Sequence, residues 1–574
     1  MTPQNFQETD GVAEVVLRDP IDSTRTRWVN RVRSADHKVI GTTLIGFSGV
    51  AVVIGAFAAL LCWAQLITPD STFLTPERFY TLHTISDTSF LYLFALPLFA
   101  GIAIYVLPLQ IGARSTAFPR LSALGAWMIV FGGVLMYASF FVNTWQGGAS
   151  PSAPLTSLFY SSGAGFEFWL STTMLVAGGL TAIAIDLAVT YKIMRADGMS
   201  ADNTPVFAFT TSVFSYGILA TAPVLIAAGL MMLLERQYEI FGIFNTVDGG
   251  NALLWKTLFQ WWSHSAPYLV LLMAAGAISE ILPVATRTAL ANRDAVKKAL
   301  QWFAVLAILG FGKTYFTSPV APVVKYVFMV IGLSLLVPSV VLLVSWLQTL
   351  RAGNFSATAP SLFALVFVAV FAFATVDNVA LSLPTLSASL AGSQFGYSAW
   401  LNMVWGGAVF GGFAALFYWF PKMTGRSFDP AKAKVALGML TLGSLIAILS
   451  IASLGVDGLP REVSEYSGGY QTRHIEAAVG MLIAFFGLIG VLLNFVSSSS
   501  NGAQAGNDPW HADTLEWFVP SPPPANNFDA IPNVKSDAPL ADLRERIVAD
   551  TGDLAGSVAQ SPTSGRPSLR ESKH

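Results

Sequence analysis

Residues 78–120 read RFYTLHTISDTSFLYLFALPLFAGIAIYVLPLQIGARSTAFPR, and most of this stretch is apolar. It is long enough to cross a bilayer, because about 20 apolar residues in a helix span the hydrocarbon. Near its start it carries His83 and, one turn later, Asp87. Polar groups at that depth are costly and usually face the interior of a helix bundle, where they mark a site. A histidine that simply packs against a neighbouring helix explains the same pattern equally well.

The whole chain has the composition of a polytopic membrane protein. Its 574 residues are 53% hydrophobic and 11% charged, whereas soluble globular chains carry roughly 25% charged residues. The net charge of −2 argues against a nucleic-acid partner and leaves the lipid bilayer as the main environment. The single cysteine, Cys62, excludes a disulfide framework and a thiolate metal cluster.

Apolar segments long enough to span a membrane recur about twelve times along the chain. The predicted spans are 39–66, 81–109, 121–144, 166–192, 207–234, 254–282, 299–317, 322–349, 361–383, 396–419, 434–456 and 475–497. This pattern predicts an all-α integral membrane protein with an even number of helices.

The placement of basic residues predicts the orientation. Lys and Arg cluster in the N-terminal segment and in alternate loops, whereas residues 146–165 and 378–399 contain neither. By the positive-inside rule, both termini are cytoplasmic. The sequence therefore predicts a cytoplasmic N-terminal tail at 1–38, a twelve-helix domain at 39–497, and a polar, loosely ordered cytoplasmic C-terminal tail at 498–574.

Several motifs resemble those of one membrane-protein family. TLH ends at His83 and is followed by FALPLFAG and LPLQIGA; IMRADGM occupies 193–199, GAVFGGFAALFYWFPKMTGR occupies 407–426, and LPREVSEY occupies 459–466. In this order they resemble subunit one of the haem-copper respiratory oxidases, of the cytochrome c oxidase type. The resemblance implies the twelve-transmembrane-helix fold of that subunit, in a bacterial inner membrane, with subunit-two-like and subunit-three-like partners.

Members of that family use six membrane histidines to hold two haems and a copper ion. The histidines of this chain are His37, His83, His264, His474, His511 and His574. Among these, only His83 and His264 fall within predicted spans. By the resemblance, His83 takes the place of an axial ligand of the low-spin haem, and His264 takes the place of one copper ligand.

The other ligand positions of the family carry different residues here. The resemblance puts Lys313 and Thr314 where the family has its other two copper ligands, and Ala399 and Leu401 where it has one histidine for each haem. Tyr268 takes the place of the tyrosine that the family cross-links to a copper ligand. Enzyme metal sites usually need about three protein ligands, so copper is not expected.

Charged residues also depart from the family pattern. Arg461 remains as a candidate contact for a haem propionate, but its neighbour is Glu462, whose charge would repel a carboxylate. The intramembrane ionisable groups that the pattern does not explain are Asp87, Asp186 and Lys313. Three interpretations stay open. These groups pair with each other and fill the former cofactor space, they form a proton or ion path, or the chain retains a single haem on His83.

These substitutions predict a subunit that keeps the oxidase fold without the haem-copper oxygen-reduction centre. It would be a non-catalytic structural or assembly subunit of an aerobic respiratory complex, with either one haem at His83 or no cofactor. One alternative is an active terminal oxidase subunit that transfers electrons from cytochrome c to oxygen and pumps protons. A second is a proton or ion path through the former cofactor cavities. The histidine count favours the non-catalytic subunit.

Overall fold

The computed structural model describes residues 33–551 apart from 143–144, 149–150, 154, 159, 162, 239–241, 247–248, 529–532 and 535. Within these residues, twelve helices are long and apolar enough to cross a membrane. They are α1 (His37–Gln65), α2 (Pro76–Gln110), α3 (Pro119–Ser139), α4 (Gly165–Ile193), α5 (Val206–Gln237), α6 (Ala252–Thr286), α7 (Arg293–Thr317), α8 (Pro322–Ala352), α9 (Ala359–Ser382), α10 (Gln394–Thr424), α11 (Pro430–Val456) and α12 (Gly468–Asn501). The predicted all-α class and the number of spans are confirmed.

The helix α2 runs through the centre of the bundle. It begins at Pro76, after Thr75, whose hydroxyl accepts a hydrogen bond from the backbone N–H of Arg78. Every residue from position 83 to position 111 is buried. A helix that is apolar on all sides lies in a protein core or faces lipid. Here other helices surround it, so the stretch that identifies the first site also forms the core.

Two central helices contain π-helical segments. They lie at Ser89–Ala95 in α2 and at Asn402–Gly412 in α10. The segments pack against each other, with the ring centroids of Phe90 and Trp405 5.3 Å apart. Because π-helical turns are rare and often occur at functional sites, this contact marks the region where the candidate sites should lie.

The end of the bundle where α1 begins is covered by the described residues between 503 and 545, and we call this end the tail face. His37 donates through Nδ1 to the carbonyl oxygen of Ile104 and accepts at Nε2 from the amide of Asn527, at 3.1 and 2.9 Å. A last helix, α13 (Pro539–Thr551), lies in the same region. We call the other end, with loops 66–75 and 457–467 and the short helix Pro384–Leu390, the opposite face.

The tail differs from the sequence-based expectation. Composition predicts loose order from residue 498, whereas α12 continues to Asn501 and residues 503–528 contact several helix ends. The physical reason is that helix termini leave backbone groups without partners, and polar tail residues supply those partners. Residues 1–32 and 552–574 lie outside the described part, so the expectation for 1–38 stays largely a prediction.

Candidate functional site

A cavity of about 410 Å³ lies between α2, α6, α7 and α10, below the opposite face. We call it the central cavity. Its volume is within the roughly 300–1,000 Å³ of ligand pockets. Lys256 and Tyr268 both line it, and they are about 18 Å apart along α6 at 1.5 Å per residue. The cavity therefore reaches from the opposite face towards the middle of the bundle.

The central cavity gathers most of the residues that the resemblance had singled out. Its lining includes His264, Tyr268, Lys313, Thr314, Ala399 and Arg461. These residues come from α6, α7, α10 and the loop before α12, so their proximity is a property of the fold and not of the sequence spacing. Leu401 lines a different, smaller cavity. The two family ligand positions of α10 therefore face two separate spaces.

Lys313 lies in the 3₁₀ turn, Gly310–Thr317, that ends α7. Its Nζ donates to Oδ1 of Asn378 at 2.7 Å and to the hydroxyl of Tyr268 at 3.3 Å. Tyr268 in turn donates to the same Oδ1 at 2.9 Å. Among the described residues, no carboxylate oxygen lies within 4.0 Å of this ammonium group. The partners of Lys313 are therefore neutral.

The residues of the central cavity do not fit a copper ion. His264 is the imidazole that lines it, and a Cβ atom on Gly310 would lie 3.2 Å from Nε2 of that ring. This close approach places the backbone of α7 beside the nitrogen. Lys313 adds a positive charge to the same space, and like charges repel strongly in a medium of low dielectric constant. One imidazole beside an ammonium group is not a copper site.

His83 belongs to a second cluster, next to the central cavity. Its Nδ1 lies 3.6 Å from Oδ2 of the fully buried Asp87. Tyr397 donates to Oδ1 of Asp87 at 3.2 Å, and Nη2 of Arg461 lies 3.2 Å from Oδ2. Ligand atoms of His83, Asp87 and Glu462 lie within 4.8 Å of one another, a spacing that could hold a metal ion. However, Arg461 already supplies positive charge there, because it pairs with both carboxylates.

The space beside α10 on the side of Leu401 is too small for a haem. The cavity there has a volume of about 50 Å³, well below the roughly 300 Å³ at the lower end of ligand pockets. Phe90 and Trp405 fill it, and Trp405 is held by a hydrogen bond to Ser444 at 2.9 Å. The ring of His83 contacts Tyr397, with centroids 5.4 Å apart. The residues present do not fit a haem between α2 and α10.

Asp186 lies away from both cavities. Its carboxylate accepts from the backbone N–H of Phe118 at 2.6 Å and from the hydroxyl of Ser122 at 2.5 Å, at the start of α3. A carboxylate is stabilised there because a helix N-terminus carries partial positive charge. The interpretation that Asp87, Asp186 and Lys313 pair with each other is therefore wrong, since each has its own local partners.

Sequence reasoning missed three residues of these sites. Asn378 joins Lys313 to Tyr268, Tyr397 joins His83 to Asp87, and Lys256 lines the central cavity near the opposite face. A polar pair at 377–378 inside an otherwise apolar span was a usable signal for Asn378, because such groups are rare in membrane helices. Tyr397 and Lys256 lie close to helix ends and carry no comparable signal.

Comparisons with known proteins agree with each other. The profile of the family described as Cytochrome C and Quinol oxidase polypeptide I matches residues 39–500. Cytochrome c oxidase subunit 1 of Corynebacterium efficiens is 32% identical, over 92% of this chain and 93% of the relative. The subunit 1 of Bacillus subtilis (strain 168) is 30% identical, over 88% and 82%. A chain of a heme-copper terminal oxidase dimer solved by cryo-EM is similar in fold, with a TM-score of 0.69 and 14% identity over 81% of this chain and 84% of that chain.

Proposed function

The chain belongs to the cytochrome c and quinol oxidase polypeptide I family, and from this premise we propose that it is a member without a haem-copper oxygen-reduction centre. It is a multi-pass membrane protein that serves as a structural or assembly subunit of an aerobic respiratory complex. It works in the bacterial plasma membrane with subunit-two-like and subunit-three-like partners.

The observation that carries this proposal is the set of donor atoms around the two cavities. The central cavity offers one imidazole, His264, and the position on α10 that faces it is Ala399. The smaller cavity is filled by aromatic rings, and the position on α10 that faces it is Leu401. Haem iron is held by axial side-chain ligands such as histidine or methionine, and copper at a catalytic site needs several donors. Ala399 and Leu401 supply none of these donors, and their identity supports the proposal.

Two further observations support the location. Relatives from bacteria cover nearly the whole chain. Basic residues also lie in loops of the tail face, among them Arg114, Arg195, Arg287, Arg351 and Arg426. By the positive-inside rule this face is cytoplasmic, which puts both termini in the cytoplasm and the mouth of the central cavity on the other side of the membrane.

A spectrum of the purified protein tests the proposal. The full chain is isolated from its native membrane in mild detergent, and a reduced-minus-oxidised visible spectrum is recorded together with a metal analysis. We expect neither haem nor copper at one equivalent per chain. The cytochrome c oxidase subunit 1 of Bacillus subtilis, prepared in the same way, is the positive control. Stoichiometric haem with copper would overturn the proposal in favour of an active oxidase.

Co-purification tests the role as a subunit. The full chain carries an affinity tag at its N-terminus, because the C-terminal tail covers helix ends. We expect subunit-two-like or subunit-three-like chains to elute with it in a fixed ratio. Elution of the chain alone, at the mass of a monomer in detergent, would contradict the role as a structural subunit.

A further inference from the structure

Three cationic side chains line the central cavity, and no Asp or Glu lines it among the described residues. They are Lys256, Lys313 and Arg461. Arg461 pairs with Asp87 and Glu462 outside the cavity wall. The two lysines differ from it, because neither has an ionic partner within 4.0 Å among the described residues. The cavity thus holds an excess of positive charge.

An ammonium group inside a membrane protein normally has a counter-charge. Charged residues within transmembrane segments pair with one another or with backbone carbonyls, because an isolated charge is costly there. Lys313 has an amide oxygen and hydroxyl groups as partners. Asp377 precedes its partner Asn378 in the chain, but its carboxylate accepts from Asn402 at 3.1 Å and does not line the cavity. Lys313 is therefore free of an ionic partner among the described residues and can pair with an anion that enters the cavity.

We propose that the central cavity binds a small organic anion, a carboxylate with an apolar body. Its carboxylate pairs with Lys313 at the inner end of the cavity, beside His264. Its body lies against Trp400 and Met403, which line the same space. This inference goes beyond the proposed structural role, and it involves no redox chemistry.

The lining favours an organic over an inorganic anion. Leu91, Phe311, Trp400 and Met403 offer apolar and aromatic surface next to the two lysines. About half of the wall is apolar, and ligand pockets combine apolar surface with a few charged groups that orient the ligand. Lys256 lies nearer the opposite face, where its charge attracts an anion to the cavity. A hydrated inorganic ion gains nothing from the apolar wall.

Calorimetric titration of the full chain in lipid nanodiscs tests the proposal, with benzoate as the probe. Benzamide, the neutral analogue of nearly the same shape, is the matched ligand control. Lys313→Met keeps most of the length of the unbranched side chain and removes its charge. Lys325→Met is the matched protein control, because Lys325 donates to the carbonyl oxygen of Phe316 and does not line the cavity.

We expect benzoate to bind with one site per chain and benzamide to bind at least 10-fold more weakly. Lys313→Met should weaken benzoate binding by about 10- to 100-fold, the range for loss of a charge-assisted hydrogen bond. Lys256→Met should weaken it less, by about 2- to 5-fold, because that charge lies near the mouth. Lys325→Met should leave the affinity unchanged.

Equal binding of benzoate and benzamide, an unchanged affinity in Lys313→Met, or no heat at all would each overturn the proposal. Equal binding of inorganic phosphate would also overturn it, because the apolar wall would then play no part. The visible spectrum and metal analysis of the same sample distinguish failure of the anion site from failure of the proposed non-catalytic function. Stoichiometric haem with copper in the sample refutes the non-catalytic role, whereas protein without them that does not bind benzoate refutes only the anion site.

Discussion

Two lysines within the bundle, one at the tail face and one at the central cavity, have different partners for their buried ammonium groups. At the tail face, Nζ of Lys422 donates to the carbonyl oxygens of Asn507 and Val519, at 3.0 and 2.7 Å. At the central cavity, Lys313 has neutral side-chain partners such as Asn378 and borders open space. Lys422 therefore joins α10 to the C-terminal tail, whereas Lys313 places its ammonium group at the wall of a cavity. The difference shows that a buried lysine can be held by backbone carbonyls where the chain folds over it, while a lysine beside a cavity keeps only side-chain partners.

The largest expected effect belongs to Lys422→Met. The substitution removes two hydrogen bonds from a charged group, each worth about 1.5–3 kcal/mol, and leaves two carbonyls at the tail face without that donor. We expect a loss of about 4 kcal/mol in the free energy of unfolding, with faster proteolysis beyond residue 502. Thermal and denaturant unfolding in detergent, followed by tryptophan fluorescence, measure the free energy of unfolding. Lys432→Met is the control, because the side chain of Lys432 is 63% exposed. An equal loss of stability in the two variants would show that the hydrogen bonds of Lys422 do not stabilise the tail face.

The second prediction concerns Glu516, which is 1% exposed at the tail face and accepts from Gln110 and Trp419. Burial, together with the charge of Glu280, raises the pKa of Glu516 from 4.5 to about 7. The folded protein therefore holds this proton more tightly than the unfolded chain, so its contribution is complete below pH 4.5 and is lost as the pH rises to about 7. We expect stability to fall by about 3 kcal/mol across that window.

Glu516→Gln keeps the acceptor oxygen and removes the titration. The variant should lose this part of the pH dependence and be more stable than the original at pH 8. Unfolding midpoints measured from pH 4.5 to pH 8 for both proteins check the result. A pH profile that is the same in both would show that Glu516 does not stay protonated at the tail face.

The third prediction concerns Asp87, which lies beside the central cavity and does have an ionic partner. Asp87→Asn removes the charge that pairs with Arg461, although Arg461 keeps Glu462. Loss of one partner of a fully buried pair costs about 3–5 kcal/mol. Because Arg461 is partly exposed and stays partly paired, we expect about 2 kcal/mol. Thermal unfolding measures it, with the exposed Asp70→Asn as control, and no loss of stability would show that the pair is not formed.

The smallest expected effect is that of Lys313→Met in the absence of added anion. An uncompensated ammonium destabilises the bundle, and replacement of buried charge by an apolar group of similar volume is often neutral or stabilising. We expect the free energy of unfolding to rise by about 1 kcal/mol, opposite in sign to the effect of Lys422→Met. A loss of more than about 1 kcal/mol in the free energy of unfolding would show that Lys313, like Lys422, stabilises the fold.

The fold could be predicted from the sequence because it depends on a local property. A membrane span needs a long apolar run, and the runs are visible without any knowledge of contacts. The tail could not be predicted in the same way. Its contact between His37 and Asn527 joins polar residues that are almost 500 positions apart, and composition alone does not show such a pair.

The candidate site was predictable only as far as the resemblance reached. His264, Tyr268 and Lys313 were expected near each other, and they line one cavity. The expected pairing of Lys313 with buried acids failed, because the distance between two helices is set by packing and not by sequence spacing. Asn378, the actual partner, is a neutral residue that charge counting does not detect.

The cover of the tail face has a consequence for how the protein is made. Residues 503–528 and 536–545 leave the ribosome after the twelve membrane-spanning helices have been synthesised, yet they supply polar contacts to His37, Gln110 and Arg293 at the ends of α1, α2 and α7. Insertion of the helices into the bilayer and docking of the tail on the helix ends are therefore separate events in time. A nascent chain that stalls after α12 contains every membrane span but lacks the tail segment that contacts the ends of α1 and α2.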